Sequence, residues 1–158
     1  MYAFNREMHI DEENIIAALF HDIGHRYRGK DVKQMNEFGV VDHDKIGAAL
    51  LATRGFSAKV VALVGGHVDA KRYKVFKDKS YQDKLTYASK QTLIHQGGAM
   101  SEKEAMEFEK NIYFEQILLL RDWEEEAKTP KAKTPPLEYF RDMILRHLEK
   151  QHFCTQNQ

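Results

Sequence analysis

No proline interrupts the chain before Pro130, and this absence constrains its fold more than any other feature. Proline breaks helices because it lacks a backbone N–H donor and clashes with the preceding turn, so a long proline-free stretch favours helix. Few segments alternate apolar and polar residues with a period of two, and none predicts a convincing strand. The sequence therefore predicts an all-α bundle of about six or seven helices.

Capping residues predict where several of these helices begin and end. Asp11 is expected to cap a first helix that stops near Gly24, and Asp42 precedes a second helix that stops at Gly55. Ser57 is expected to cap a third helix, in which two adjacent glycines hint at close approach by another group. The other expected helices are 82–95, 101–128 (unbroken, or divided near Asn111) and 136–152.

Composition and charge exclude several classes of protein. Lys plus Arg and Asp plus Glu both number 24, so the chain lacks the bulk positive charge of a nucleic-acid-binding domain. No apolar run is long enough to predict a membrane span, and the N-terminus does not resemble a secretory signal. The single cysteine, Cys154, fits a reducing compartment, and we expect a cytoplasmic protein. We expect one domain over 1–152, a disordered tail over 153–158, and an oligomeric state that the sequence leaves open.

Histidines on separate helices form the candidate chemical site. His21 and Asp22 end the first predicted helix, His43 begins the second, and His67 follows the two glycines of the third. Imidazole ligands suit iron, zinc, nickel or copper, and a carboxylate can also bridge two hard ions. Facing helices of a bundle often build such sites, although a single histidine is more often surface or core. The residues alone make a metal site plausible without establishing it.

The segment AALFHDIGH, residues 17–25, resembles the signature of the HD-domain superfamily, which consists of helical metalloproteins with a central His-Asp pair. Segments 43–73, 88–101 and 118–128 are similar to the mixed-valent di-iron HD-domain oxygenases of phosphonate breakdown. Those enzymes use dioxygen to cleave the carbon–phosphorus bond of substrates like 2-amino-1-hydroxyethylphosphonate. The inositol-ring-cleaving oxygenase is a more distant relative. The resemblance extends over about residues 10–130.

The resemblance implies two iron ions, Fe(II) and Fe(III), and assigns their ligands. Asp22 would bridge the irons, His21 would bind the first, and His43 and His67 would bind the second. The last carboxylate ligand would be Glu124, where the family usually has Asp, with Asp122 as the alternative. The family's first iron has a further histidine upstream, at a position that precedes Met1, and His9 lies too close to the first helix to replace it.

The resemblance also implies a substrate pocket. Lys71 and Arg121 would bind the phosphonate, and His25 would place a polar group beside the substrate; Asp22, His25 and Lys71 would be the catalytic residues. Ser89 and Gln96 would border the pocket. A phosphonate dianion needs fixed positive charge, which Lys and Arg supply through charge-assisted hydrogen bonds.

Two other functions stay open from the sequence. A metal-dependent HD phosphohydrolase would use one divalent metal, such as Mn, Mg or Zn, held by Asp22 to activate water, with Lys71 on the phosphoryl group of a phosphate ester. An HD domain without catalytic activity would instead bind ligands or partners.

Overall fold

The computed structural model describes residues 10–27, 29, 32–128 and 135–156. Within these ranges the chain is helical, with no strand and one isolated bridge between Gln34 and Val40, which confirms the all-α prediction. His9 and most of the proline-containing segment lie outside the described residues. The helices are α1 (Glu12–Phe20), α2 (His43–Thr53), α3 (Ala58–Lys77), α4 (Lys79–Lys84), α5 (Tyr87–His95), α6 (Glu102–Phe108), α7 (Phe114–Ala127) and α8 (Leu137–Gln156), with 3-10 turns at Ile23–Arg26 and Asn36–Phe38.

Several predicted caps set the starts and stops of these helices, although α1 ends at Phe20, before Gly24, and Asp42 precedes α2 without a side-chain capping hydrogen bond. The Asp11 side chain accepts hydrogen bonds from the backbone N–H groups of Glu13 and Asn14 at the start of α1. Ser101 and Glu104 form a reciprocal capping box at the start of α6, and Gly55 ends α2 in the left-handed region at φ 82°. These local signals are confirmed because each satisfies backbone groups that a helix end leaves without partners.

The described residues form eight α-helices, one more than the seven expected if the segment around Asn111 is divided, because the predicted 82–95 helix is itself divided. Leu85 is extended and packs into a small cluster with Val75 and Leu93, which separates α4 from α5. The predicted 101–128 segment breaks near Asn111, which was one of the two alternatives. At the C-terminus, α8 continues to Gln156, beyond position 153 where we expected a tail to begin.

Helix α3 lies at the centre of the bundle and contacts α1, α2, α4, α6 and α7. Its Leu63 and Val64 are fully buried in the main hydrophobic core. A Cβ at Gly66 would lie 2.8 Å from the Ile117 side chain, so this glycine allows α7 to approach α3 closely. The close approach hinted at by the glycine pair is therefore confirmed, and it brings α7 beside the α3 face that carries His67.

None of the helices in the described ranges is both long enough and apolar enough to cross a membrane.

Candidate metal centre

The His-Asp pair lies where the end of α1 meets the start of α2. His21 follows the last residue of α1, and Asp22 precedes the 3-10 turn. A Cβ at Gly24 would lie only 1.8 Å from the carbonyl oxygen of His43. A side chain at position 24 would therefore push the two segments apart, and glycine allows Asp22 and His43 to come together.

The two carboxylate oxygens of Asp22 face different imidazoles. Oδ2 lies 3.4 Å from Nε2 of His21, whereas Oδ1 lies 3.5 Å from Nε2 of His43 and 3.8 Å from Nε2 of His67. Burial raises the pKa of Asp22, but the hydrogen bond from His21 and the nearby imidazoles outweigh it, and the pKa falls below its ordinary value. Asp22 is therefore an ionised carboxylate able to serve two cations, one on each side.

Backbone carbonyls fix the tautomer of three histidines. Nδ1 of His21 donates to the carbonyl of Ala18 at 2.8 Å, and Nδ1 of His67 donates to the carbonyl of Val64 at 2.7 Å. Nδ1 of His43 donates in the same way to Val40, at 3.0 Å. A carbonyl oxygen only accepts hydrogen bonds, so each Nδ1 carries a proton, and in the neutral ring each Nε2 keeps its lone pair. This arrangement is typical of metal-binding histidines, whose other ring nitrogen donates to a carbonyl or carboxylate.

The lone pairs of His43 and His67 face each other. Their Nε2 atoms are 3.0 Å apart, and the two residues are only 5% and 3% exposed. Because neither Nε2 carries a proton, no hydrogen bond joins them. Metal–nitrogen bonds of about 2.1 Å at a right angle would separate two nitrogens by about 3.0 Å, the spacing found here. Burial lowers the pKa of His67 to about 3, which favours the neutral form that binds metals.

Glu124 supplies a further carboxylate oxygen beside this group. Its Oε1 forms an ion pair with Nη1 of Arg121 at 2.6 Å, while its Oε2 is buried without a hydrogen-bond partner. Buried polar atoms normally have partners, so a carboxylate oxygen that lacks one in a cavity also lined by imidazoles fits a metal ion. Asp122, the alternative ligand, pairs instead with Lys74 and does not line the cavity.

His25 is held differently from the other three histidines. Its Nδ1 accepts a hydrogen bond from the backbone N–H of Val40 at 3.1 Å, so in the neutral ring Nε2 carries the proton. The ligand atoms of Asp22, His25 and His43 lie within 4.8 Å of one another, close enough to share one ion. The tautomer nevertheless orients His25 as a hydrogen-bond donor towards the cavity rather than as a ligand.

The histidine cluster opens into a cavity of about 200 Å³. Two amines also line it: Nζ of Lys71 donates to Oγ1 of Thr92 at 2.8 Å, and Nζ of Lys128 donates to Oγ of Ser89 at 3.2 Å. Burial, reinforced by neighbouring Arg121, lowers the pKa of Lys71 to about 7. Two amines and a row of hydroxyls therefore line the same cavity as the carboxylates and imidazoles.

The cavity is lined by all five residues expected at the substrate pocket, which are His25, Lys71, Ser89, Gln96 and Arg121. His21, expected as a metal ligand, lies beside Asp22 and does not line the cavity. Residues that the sequence analysis did not single out also line it, namely Val68, Thr86, Ala88, Thr92 and Lys128. The sequence spacing could have indicated Lys128, because it follows Arg121 by two helical turns and lies on the same helix face as Glu124.

The model of the HD domain family matches residues 2–152. The chain belongs to the HD domain family. HD domains bind metal ions, and the histidines around Asp22 lie at the pair for which the family is named.

Curated relatives match most of this HD-domain chain. The [1-hydroxy-2-(trimethylamino)ethyl]phosphonate dioxygenase (glycine-betaine-forming) of Leisingera caerulea is 35% identical over 88% of the chain. The hydroxymethylphosphonate dioxygenase of Gimesia maris is 36% identical over 89% of it, and each alignment spans 70% of the dioxygenase. An uncharacterised protein of Acanthamoeba polyphaga mimivirus is 36% identical over 86% of the chain, which spans 63% of that relative.

Proposed function

We propose that this HD-domain protein is an iron-dependent oxygenase that cleaves the carbon–phosphorus bond of a small hydroxy-phosphonate and releases phosphate. The observation that carries the proposal is the pair of Nε2 lone pairs of His43 and His67, 3.0 Å apart beside the Asp22 carboxylate. A cavity lined by the buried amine of Lys71 adjoins them. The names of two relatives, both phosphonate dioxygenases, support the same reaction class.

The donor geometry supports sites for two metals. His21 and Oδ2 of Asp22 would hold one iron, and Oδ1 of Asp22 with His43 and His67 would hold the other. Oε2 of Glu124 would be the last carboxylate ligand. Bound as a mixed-valent pair, the irons would supply dioxygen activation and oxidation at the carbon that carries the hydroxyl.

The protein's own groups would bind and orient the substrate. Lys71 would neutralise the phosphonate charge within a largely buried site, where a charge-assisted hydrogen bond is strong. The Nε2–H of His25 would donate to a substrate oxygen at the boundary between the metal ligands and the cations. Ser89 and Gln96 would border the same space, and Gln96 offers a buried Oε1 that has no hydrogen-bond partner.

Arg121 has a different part in this proposal from the one implied by the resemblance. It is only 2% exposed, and its three nitrogens contact Tyr81, Glu124 and Glu125. We therefore assign Arg121 to holding Oε1 of Glu124, which leaves Oε2 facing the metal side. The phosphonate charge would then fall mainly to Lys71.

The test measures coupled oxygen consumption and phosphate release. The full chain is purified without oxygen or chelators, loaded with iron, and given hydroxymethylphosphonate, 2-amino-1-hydroxyethylphosphonate or 1-hydroxy-2-(trimethylamino)ethylphosphonate. We expect at least one of these to release phosphate with equimolar consumption of dioxygen, and no release under argon. Asp22→Asn is the inactive control.

Oxygen dependence also separates the proposal from the phosphohydrolase. Hydrolysis of a phosphate ester such as p-nitrophenyl phosphate with Mn, Mg or Zn under argon, without any oxygen-dependent phosphate release, would replace the oxygenase with a hydrolase. An iron-loaded chain that turns over none of the three phosphonates would also overturn the proposal.

A further inference from the structure

Lys128 reaches the cavity from a different helix than Lys71. Lys71 is on α3, whereas Lys128 caps the C-terminal end of α7. Both nevertheless line the same cavity, together with Ser89 and Thr92 of α5. Two amines from separate elements thus converge on one side of the space that the proposed function gives to the substrate.

Hydroxyls along one face of α5 accept hydrogen bonds from both amines. Oγ1 of Thr86, the N-cap of α5, accepts a hydrogen bond from the backbone N–H of Ser89, and the hydroxyl oxygens of these two residues are 3.1 Å apart. Oγ of Ser89 accepts from Lys128, and Oγ1 of Thr92 accepts from Lys71. Residues 86, 89 and 92 share one helix face, so an anion between the amines would meet hydroxyl donors as well as positive charge.

The two lysines differ in exposure and in counter-ions. Lys71 is buried and its Nζ has a neutral hydroxyl partner. The Lys128 side chain is 31% exposed, and its Nζ lies 3.1 Å from Oε1 of Glu125 and 3.5 Å from Oε1 of Glu124. Since Glu124 and Glu125 both also pair with Arg121, Lys128 can leave them without stranding a carboxylate.

We propose that Lys128 is a second phosphonate-binding residue, placed at the mouth of the cavity, whose Nζ exchanges its contacts with Glu125 and Ser89 for a phosphonate oxygen. This inference rests on the proposed function, because it takes the phosphonate as the ligand of the cavity. Lys128 would hold the outward oxygen of the group while Lys71 holds the inner one. It would be a binding residue, since its Nζ contacts Ser89 and the two glutamates rather than the imidazoles.

The test compares anion affinity in matched variants of the full, iron-loaded chain under argon. Isothermal titration calorimetry with methylphosphonate is applied to the wild type and to Lys128→Ala, Lys128→Arg and Lys71→Ala. Lys110→Ala is the matched control, because Lys110 also pairs with a glutamate three residues earlier but lies outside the cavity lining. Iron content and melting temperature are measured for every variant.

We expect Lys128→Ala to raise the Kd for methylphosphonate at least tenfold, the loss expected for one hydrogen bond to a charged group. Lys128→Arg should recover most of the affinity, and Lys110→Ala should match the wild type. With a turned-over phosphonate, Lys128→Ala should raise KM by a similar factor and change kcat less than about twofold, because uniform binding is lost.

Three outcomes would overturn the inference. If Lys71→Ala weakens binding and Lys128→Ala does not, Lys128 is only a surface ion pair, and the proposed function stands. If Lys128→Ala loses iron or melts at a clearly lower temperature, and arginine does not restore affinity, Lys128 is structural. If the iron-loaded wild type binds no methylphosphonate and turns over no phosphonate, the proposed function fails and the inference fails with it.

Discussion

His25 and His43 stack with their ring centroids 3.9 Å apart, yet the backbone of one residue, Val40, holds the two imidazoles in opposite tautomers. The N–H of Val40 donates to Nδ1 of His25, and the carbonyl of Val40 accepts from Nδ1 of His43. One peptide segment therefore presents a proton donor and a bare lone pair to the same carboxylate, Asp22. The two histidines are close in space but suited to different chemistry.

The tautomers predict that only some of the clustered histidines are needed for metal binding. We expect His43→Ala and His67→Ala to lose bound iron because each removes a free Nε2 lone pair. We expect His25→Ala to keep its iron and lose phosphate release, because it removes a donor rather than a ligand. Metal analysis and the oxygen-dependent assay on the same preparations check this, with circular dichroism to confirm that the helices are retained. Iron loss in His25→Ala would show that His25 is a ligand instead.

The two carboxylates of the Arg-Asp-Trp-Glu segment, Asp122 and Glu124, predict a second contrast. Glu124→Gln should weaken iron binding about 10-fold to 100-fold, because the amide retains the size of the side chain but is a poorer ligand than the carboxylate oxygen that lacks a partner. Asp122→Asn is the matched control, because Asp122 faces Lys74 outside the cavity lining. Competition with a coloured chelator measures both affinities, and a larger loss in Asp122→Asn would reverse the assignment.

The sequence was most informative where a few neighbouring residues determine the structure. Asp11 and Ser101 cap helices because their side chains satisfy backbone groups within one turn. The same holds for the break near Asn111, where the apolar pattern changes. The division at Leu85 was missed because it depends on packing against Val75 and Leu93, which only the folded chain brings together.

The same contrast holds in the candidate site: the sequence identifies residues, but the contacts between them depend on how the helices pack. His43 and His67 were named from the resemblance, but their 3.0 Å approach depends on how α2 packs against α3. Lys128 was overlooked although its spacing from Arg121 was visible, because spacing alone does not show which helix face meets a cavity. The opposite tautomers set by Val40 could not be predicted, since they depend on backbone hydrogen bonds in an irregular connection.

At Lys71, the charged amine that phosphonate binding needs is expected to lower the stability of the folded chain. Its pKa of about 7 means that the folded, metal-free chain resists charging an amine that is charged in the unfolded chain. Lys71→Met fills similar space without that cost. We expect its free energy of unfolding at neutral pH to exceed that of the wild type by about 1–2 kcal/mol. The same variant should bind methylphosphonate at least tenfold more weakly.

The pH dependence checks this explanation of Lys71. Between pH 7 and the ordinary lysine pKa of 10.5, the unfolded chain binds a proton at Lys71 that the folded chain does not. The stability of the metal-free wild type should therefore rise with pH in this window by more than that of Lys71→Met. The surrounding charges of Arg121, Glu124, Lys128 and Asp22 are present in both proteins. Parallel curves from urea titrations would indicate that Lys71 is not held in its neutral form.

His147 attaches α8 to the rest of the bundle, far along the chain from the metal centre. Its Nε2 accepts a hydrogen bond from the backbone N–H of Ser57 at 3.2 Å, and its ring stacks on Phe56. The residue is buried, and burial lowers its pKa below the ordinary value of 6.5. His147→Ala should therefore lower the free energy of unfolding by about 2–3 kcal/mol, through lost packing and an unsatisfied N–H.

Protonation of His147 should also weaken the fold. As the pH falls below 6.5, the unfolded chain takes up a proton at His147 before the folded chain does. The free energy of unfolding therefore decreases over the pH range between 6.5 and the lower pKa of His147 in the folded chain. The effect is at most about 1.4 kcal/mol per pH unit for one proton. The charged groups around the ring, Glu13, Lys150, Glu12 and Asp11, are unchanged in His147→Gln, which offers an amide oxygen to Ser57 without titrating. Urea titrations from pH 7.5 to 5 should show a shallower loss in His147→Gln than in the wild type, and an equal slope in both proteins would exclude His147 as a source of the acid sensitivity.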